Sequence, residues 1–350
     1  MLSLRTVRGP LQAAEEESIL ADYNRLTGAR IPLGDFRHWV RDSPEGPAWH
    51  AILQTDEARI VGHFSLIPLR AQHAGNKLIA AKTEYFFVHE DFRREKVRGF
   101  ENSILPCAIL VLSQLYQDCH ASGWGPFLAA VNDQIEPFHR AVGCRPVVFK
   151  LSECLLILRP WKAARRTPNL TKKQRMAMLF VGIGQRLLWS IAGNLASRSR
   201  GVGFTTVASV CVHRKTDQIA FFEDRASLIW RYPSEDYVTV ASASDPHQFV
   251  IAKHGSDERF LRVCQWELAG SKDPEPFLLA LIDQARQEKA LGVRWSLYRD
   301  QQQPVLLGAL RKLGFLRMQR DRRLLFYTRD KIFLQPETWC LTDSFFAFDL

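Results

Sequence analysis

A run of cations follows an apolar, strand-like stretch that begins at Glu84. Five residues after that stretch could hold an anion: Arg93, Arg94, Lys96, Arg98 and Gly99. Apolar residues with helical spacing come next, at 103–116. A strand, a basic turn and a helix N-terminus form an anion site, because free backbone N–H groups and the positive end of the helix dipole meet there. The alternative is a solvated, charged turn.

The basic character of the chain belongs to one segment. The 350 residues carry a net charge of +10, with 46% hydrophobic and 24% charged residues, a composition typical of globular proteins. The length is sufficient for two domains. Twelve of the 47 basic residues and none of the 37 acidic residues lie between Cys154 and Thr216. The charge is therefore a property of that segment and not of the fold.

The seven cysteines are scattered and include no C-x-x-C pair. An odd number without metal-ligand spacing indicates free thiols in a reducing compartment, and it predicts no metal site. Residues 1–17 are polar and become acidic, so they lack the apolar core of a signal peptide. These features predict a cytoplasmic protein.

Periodicity in the first half predicts the order α-α-β-β-β-α-β-α-β, ending near Pro160. The strand before the cations spans 78–88, and a further strand at 127–131 precedes a helix at 134–141. The second half repeats this order at a spacing of about 170–190 residues, which indicates duplication of one unit. We therefore predict domains at 1–160 and 206–350, joined by a basic connector at 161–205.

Three motifs resemble the GNAT (GCN5-related N-acetyltransferase) superfamily. The stretch 88–93 is similar to the strand exit that precedes the coenzyme A pyrophosphate loop of that superfamily. Residues 132–143, from Asn132 through Phe138 and His139 to Gly143, resemble its helix after the next strand, and 310–315 repeat the ending of that motif. The resemblance is to tandem two-domain proteins of an uncharacterised bacterial type. It implies an α+β fold of two GNAT-like domains, each a mixed, mostly antiparallel twisted sheet flanked by helices.

The resemblance also implies acetyl-CoA or another acyl-CoA as the co-substrate. Its pantetheine arm would lie between two splayed strands, beside Phe87 and Val88 of the first. Its pyrophosphate would lie on the basic loop, on Arg93, Arg94, Lys96, Arg98 and Gly99. Asn132, at the end of the next strand, is the last of the predicted cofactor-binding residues. The loop departs from the family pattern, since it is bulky and has a single glycine.

By the same resemblance, Glu84 is the candidate general base and His139 the candidate general acid. A base must take a proton from the attacking amine, and an imidazole can protonate a leaving thiolate. The alternatives are a structural carboxylate, a helix-face histidine and, for Asn132, a plain turn residue. The second half lacks the arginine turn and has Leu310 at the position of His139, which indicates a degenerate domain.

The connector carries apolar residues at spacings of three and four between Met176 and Leu195, with cations at Arg165, Arg166, Lys172, Lys173 and Arg175. Such a basic amphipathic helix can lie on an anionic membrane, which predicts peripheral contact with the inner face of the membrane through 165–200. It is a poor transmembrane span, because Arg186 would sit in mid-bilayer. A linker helix packed between domains is the alternative. Few aromatic residues interleave with the cations, so nucleic acid is not an expected partner.

Three functions remain open from the sequence. The first is an N-acyltransferase that moves an acyl group, most simply acetyl, from acyl-CoA to a primary amine of a small molecule or cell-envelope precursor. The second is a tandem transferase that uses aminoacyl-tRNA as donor. The third is a non-catalytic binding protein that keeps the fold. The sequence does not discriminate the acceptor or the oligomeric state.

Overall fold

The computed structural model describes residues 1–130, 133–167, 171–191, 201–212, 219–221, 224–233, 235–256, 259–268, 271, 273–298 and 304–340. The first half contains six strands and four helices in these ranges: β1 Leu2–Arg8, α1 Ala13–Thr27, α2 Leu33–Arg41, β2 Trp49–Thr55, β3 Ile60–His73, β4 Asn76–Val88, α3 Cys107–Ala121, β5 Phe127–Ala129, α4 Glu136–Ala141 and β6 Arg145–Ile157. The predicted order is confirmed from α1 onward. The sequence interpretation missed β1 and placed the start of α3 four residues too early.

The connector and the second half follow. Their elements are α5 Pro160–Arg166, α6 Lys172–Ile191, β7 Val202–Thr205, β8 Ile219–Phe221, α7 Arg225–Arg231, β9 Tyr237–Ser242, β10 Phe249–Lys253, β11 Leu261–Glu267, α8 Glu275–Gln287, β12 Gly292–Tyr298, α9 Pro304–Lys312, β13 Leu316–Tyr327 and β14 Trp339–Cys340. The predicted strands and helices of this half are present, with ends shifted by a few residues. β13 begins seven residues earlier than predicted.

The two halves share one continuous sheet. Its order is β1-β2-β3-β4-β5-β13-β6-β12-β11-β10-β9-β7, with β8 and β14 attached at β3. β13, from the end of the chain, lies between β5 and β6 of the first half, and β6 in turn pairs with β12 of the second half. Each half thus completes its sheet with a strand from the other. The predicted domain boundaries stay a prediction.

Both halves repeat one local irregularity. In the first, an extra residue bulges β4 against β3, and β4 pairs with β5 in parallel. In the second, a register shift at Ile251 leaves Cys264 of β11 as the extra residue, and β11 pairs in parallel with β12. A bulge beside a short parallel pair in each half agrees with the predicted duplication. The protein has the predicted α+β architecture.

Helices cover both faces of the first half's sheet. One apolar cluster joins α1 and α2 to residues of β4 that include Tyr85 and Phe87. The cluster on the other face joins α3 to Ala81 and Val88 of the same strand. Side chains alternate along a strand, so β4 contributes to both cores. We refer to these as the α1/α2 face and the α3 face.

The connector helix α6 packs on the sheet through a glycine and a buried amide. A Cβ at Gly182 would lie 2.6 Å from the Pro160 Cβ, so only glycine permits this approach of α6 to the start of α5. The Gln185 side chain accepts from the Ile157 amide and donates to the Gly314 carbonyl. In the described part of the chain, no helix combines the length and apolar character that crossing a bilayer requires.

Candidate active site

The strands β4 and β5 separate soon after they meet. Their parallel ladder consists of two pairs, Ala81 with Phe127 and Lys82 with Leu128. Beyond Lys82, β4 continues to Val88 while still paired with β3. Within the described residues it has no ladder partner on the β5 side over that length. Among the described residues, the last six of β4 therefore have a strand edge that pairs with no strand on the β5 side, and we refer to the region along this edge as the slot.

A bulge at the mouth of the slot is held by buried histidines. Tyr85 has a φ of 54°, a conformation that costs energy for a bulky residue and so needs support from its surroundings. The Nδ1–H of His63 donates to the Tyr85 carbonyl at 2.9 Å. That bond leaves the His63 Nε2 as an acceptor, so it takes the Nδ1–H of His50 at 3.0 Å. The two imidazoles thus fix the bulge from inside the sheet.

Burial lowers the pKa of three histidines in the first half of the chain. It lowers the pKa of His63 to about 4, the pKa of His139 to about 4, and the pKa of His50 well below its ordinary value. His50 lies in β2, His63 in β3 and His139 in α4, and all three are buried.

These shifts predict acid sensitivity. In the unfolded chain, histidines take up protons below a pH of about 6.5, whereas in the folded chain His63 and His139 do so only near 4. The stability that the two neutral histidines confer is therefore complete above pH 6.5 and is lost as the pH falls. We expect the free energy of unfolding at about pH 5 to be lower than at neutrality by about 2 kcal/mol for each of the two. Urea unfolding at both pH values measures this difference. A His139→Asn variant should show a smaller one, and equal midpoints at both pH values would contradict the prediction.

Glu84 lies on β4 immediately before the bulge, on the α1/α2 face. Its carboxylate contacts the ammonium group of buried Lys82 at 2.6 Å. Burial, and then the negative charge of Glu84, raise the pKa of Tyr23 on α1 to about 12. The Tyr23 ring packs edge-on against Tyr85, 5.3 Å between centroids. A carboxylate and an ammonium group therefore form an ion pair beside the slot, and the phenol of Tyr23 lies near enough to feel the charge of Glu84. The sequence interpretation identified only the carboxylate.

His139 lies on the opposite face from Glu84 and is only 1% exposed. The Tyr116 hydroxyl and the His139 Nδ1 are 2.9 Å apart, and Phe64 and Phe86 pack edge-on against the ring. With its pKa lowered to about 4, the imidazole is neutral at physiological pH. The role of proton donor stays a prediction, but this environment is that of a packed core histidine.

Three of the four cations of the basic loop already have partners within the chain. Arg98 pairs with Asp56 at 3.0 Å, the Lys96 ammonium donates to the Glu101 carbonyl, and Arg93 donates to the Val88 carbonyl. Arg94 is exposed and has no side-chain partner among the described residues. Gly99 has a φ of 82°, which suits glycine, but its amide donates to the Glu101 carboxylate.

The loop also covers the N-terminus of α3. The Cys107 amide donates to the Arg93 carbonyl, and the Cys107 thiol donates to the Glu95 carbonyl. The edge of β1 fixes the loop from the other side, because the Leu2 amide donates to the Lys96 carbonyl and the Arg98 amide donates to the Leu2 carbonyl. The predicted anion site at this helix terminus thus has part of its backbone groups satisfied by the chain itself.

A charged cluster at the end of β4 was not anticipated. His89 follows β4 directly, and its Nε2 lies 3.0 Å from the Asp22 carboxylate of α1, which Arg25 also contacts at 2.6 Å. Although burial opposes it, the hydrogen bonds from Arg25 and His89 lower the pKa of Asp22. These residues join α1 to the loop. Phe87 packs on the α1/α2 face and Val88 on the α3 face, and Asn132 lies outside the described residues.

No model of a known protein family matches the sequence, and no curated protein matches it. Solved structures do match. A conserved protein of unknown function from Enterococcus faecalis V583, designated a probable N-acyltransferase, is 8% identical and superposes with a TM-score of 0.53 over 92% of this chain and 71% of its own. A GCN5-related N-acetyltransferase from Kribbella flavida is 14% identical, with a TM-score of 0.52 over 92% of this chain and 70% of its own. A tandem GNAT protein from the clavulanic acid biosynthesis pathway is 14% identical, with a TM-score of 0.49 over 93% of this chain and 98% of its own.

At these identities the likeness concerns the fold alone. The likeness confirms the predicted GNAT-like α+β fold.

Proposed function

We propose that this chain, which has the fold of GNAT acyltransferases, is an N-acyltransferase that moves an acyl group from acyl-CoA to a primary amine of a small molecule. The observation that carries the proposal is the slot beside Glu84. The ladder between β4 and β5 ends at Lys82, which leaves strand backbone facing the gap next to a carboxylate. An extended amide-bearing arm can pair with such a backbone, as an added strand would.

The residues present fit acyl-CoA in part. Acyl-CoA supplies an activated thioester when it is bound. The β4 backbone beyond Lys82 would pair with its pantetheine arm, and Arg94, with Arg93, is the cation best placed by its exposure to meet phosphate. The other loop cations have internal partners, and the α3 N-terminus is partly capped, so the loop offers fewer groups than the sequence predicts.

Glu84 is the group in the slot that can accept a proton from an acceptor amine. An amine must be neutral to attack a thioester, and a carboxylate held within hydrogen-bond reach can take its proton. Lys82 holds the carboxylate in place through their ion pair. We assign His139 to packing and not to proton donation, because it is buried, neutral and bonded to Tyr116. The leaving thiolate then takes its proton from solvent.

The partly occupied loop favours a second candidate, a protein that keeps the fold but binds a donor other than CoA. The observation that favours this second candidate is that the loop already makes hydrogen bonds to β1 and α3 and an ion pair with Asp56.

Thermal unfolding with acetyl-CoA, longer acyl-CoAs and free CoA separates the two candidates. A ligand at 100 times its dissociation constant should stabilise the folded chain by about 2.7 kcal/mol. We expect acyl-CoA to raise the unfolding temperature of the unaltered chain, and to raise that of an Arg93→Ala/Arg94→Ala variant by less. The control Arg329→Ala removes an exposed arginine outside the loop and should show the same increase as the unaltered chain. The absence of a shift with every thioester and with CoA would favour the second candidate.

A further inference from the structure

The helix α6 presents an exposed apolar stripe to solvent. Met176, Phe180, Ile183 and Leu187 are 50%, 68%, 37% and 59% exposed. At 100° per residue these four side chains project within about 60° of one another, so they form one line along the helix. The line is about 16 Å long at 1.5 Å per residue. Isolated exposed apolar residues are ordinary, but four in a row on one helix face are not.

The opposite side of the same helix is the one that packs on the protein. Gly182 contacts the start of α5, Gln185 is bonded to the sheet, and Met178 and Val181 pack against the cluster around Ile157. Those four positions lie roughly opposite the stripe on the helix circumference. The stripe is therefore not the edge of the core, because the helix already has its core-facing side.

Cations flank the stripe. Lys172 and Lys173, both exposed, project on either side of the line at its N-terminal end. A further exposed cation, Arg165, lies on α5, which packs on α6. The exposed Trp161 is the second residue of α5. The sequence holds no acidic residue between Cys154 and Thr216.

We propose that this face, the apolar stripe of α6 with its flanking lysines, docks on the surface of a lipid bilayer that contains anionic headgroups. An apolar line bordered by Lys and Arg matches an interfacial helix, whose apolar face enters the headgroup and acyl boundary while its cations contact the lipid charge. A protein interface is the poorer match. A stable one buries about 800 Å² per partner over 20–30 residues, more than one narrow line of four side chains supplies.

Co-sedimentation of the full chain with vesicles tests the proposal. One vesicle preparation contains phosphatidylcholine alone, and the other contains equal parts of phosphatidylcholine and phosphatidylglycerol. We expect binding to the anionic vesicles that weakens as salt is added. Neutralising Lys172 and Lys173 together, as Lys172→Gln/Lys173→Gln, should weaken it by about fivefold for each lysine.

A second variant separates insertion from simple charge attraction. Phe180→Ser/Leu187→Ser keeps every cation, and we expect it to lose most of the binding. The matched controls are Val305→Ser, an apolar residue of similar exposure on α9, and Lys331→Gln, an exposed lysine elsewhere. Both should bind as the unaltered chain does. The result does not depend on acyl-CoA binding, so it stands or falls apart from the proposed activity.

Three outcomes would overturn the proposal. The first is no sedimentation with anionic vesicles, and the second is sedimentation that neither the lysine nor the apolar variant changes. The third is a dimer in light scattering that Phe180→Ser/Leu187→Ser converts to a monomer, which would assign the stripe to a second copy of this chain.

Discussion

Glu84→Gln is expected to lower kcat for thiol release from acetyl-CoA by about a thousandfold, while acyl-CoA binding is unchanged. Glutamine has the shape of glutamate but cannot take the proton of the amine. Acyl-CoA would lie along the β4 backbone and the loop, which the substitution does not alter. The measurement is steady-state kinetics over a panel of primary amines, with thermal unfolding to follow binding. The control Glu90→Gln, an exposed carboxylate in the turn after β4, should retain full activity.

Lys82 complicates a simple interpretation of that variant. Removing the charge of Glu84 leaves the buried ammonium group without its ion-pair partner, which is costly in a protein interior. A loss of activity could then reflect unfolding. In the double variant Lys82→Met/Glu84→Gln both charges are absent, so we expect stability close to that of the unaltered chain and no recovery of kcat. Unchanged kcat in Glu84→Gln would remove Glu84 from the proposed chemistry.

Gly292→Ala is expected to destabilise the fold by more than about 4 kcal/mol. Gly292 opens β12 opposite Ile157 of β6, where the second half joins the last strand of the first. A Cβ there would lie 1.9 Å from the Leu156 carbonyl oxygen, and a backbone group cannot move aside as a flexible side chain can. The substitution must therefore separate the two strands that hold the halves together. Urea unfolding measures the loss.

Gly308→Ala is the matched control, since a Cβ at this exposed position in α9 would meet nothing within 4 Å. Alanine is the better helix former, so this variant should gain up to about 1 kcal/mol. If Gly292→Ala does not accumulate in folded form while Gly308→Ala does, the steric argument is supported. Equal stability of the two variants would contradict it.

Local pattern in the sequence determined most of the elements. The alternation that predicts β4, the spacing that predicts α3 and α4, and the repeat of element order between the halves are all readable because each depends on neighbouring residues. The basic connector was predicted for the same reason, and α6 has four of its apolar residues on one exposed line. β1 escaped prediction because its seven residues are a short and mostly polar stretch, and its pairing with β2 is what makes it a strand.

Tertiary structure alone decided how those elements combine. Strand exchange puts β13 beside β5, nearly 200 residues away in the sequence, and no local pattern records such a pairing. The same holds for the bulge at Tyr85, which depends on His63 from another strand, and for the opposite faces on which Glu84 and His139 lie. The number of cations in the loop was evident from the sequence. Their availability was not, because their partners are a carboxylate at Asp56 and carbonyls of the chain, which only the folded backbone brings within reach.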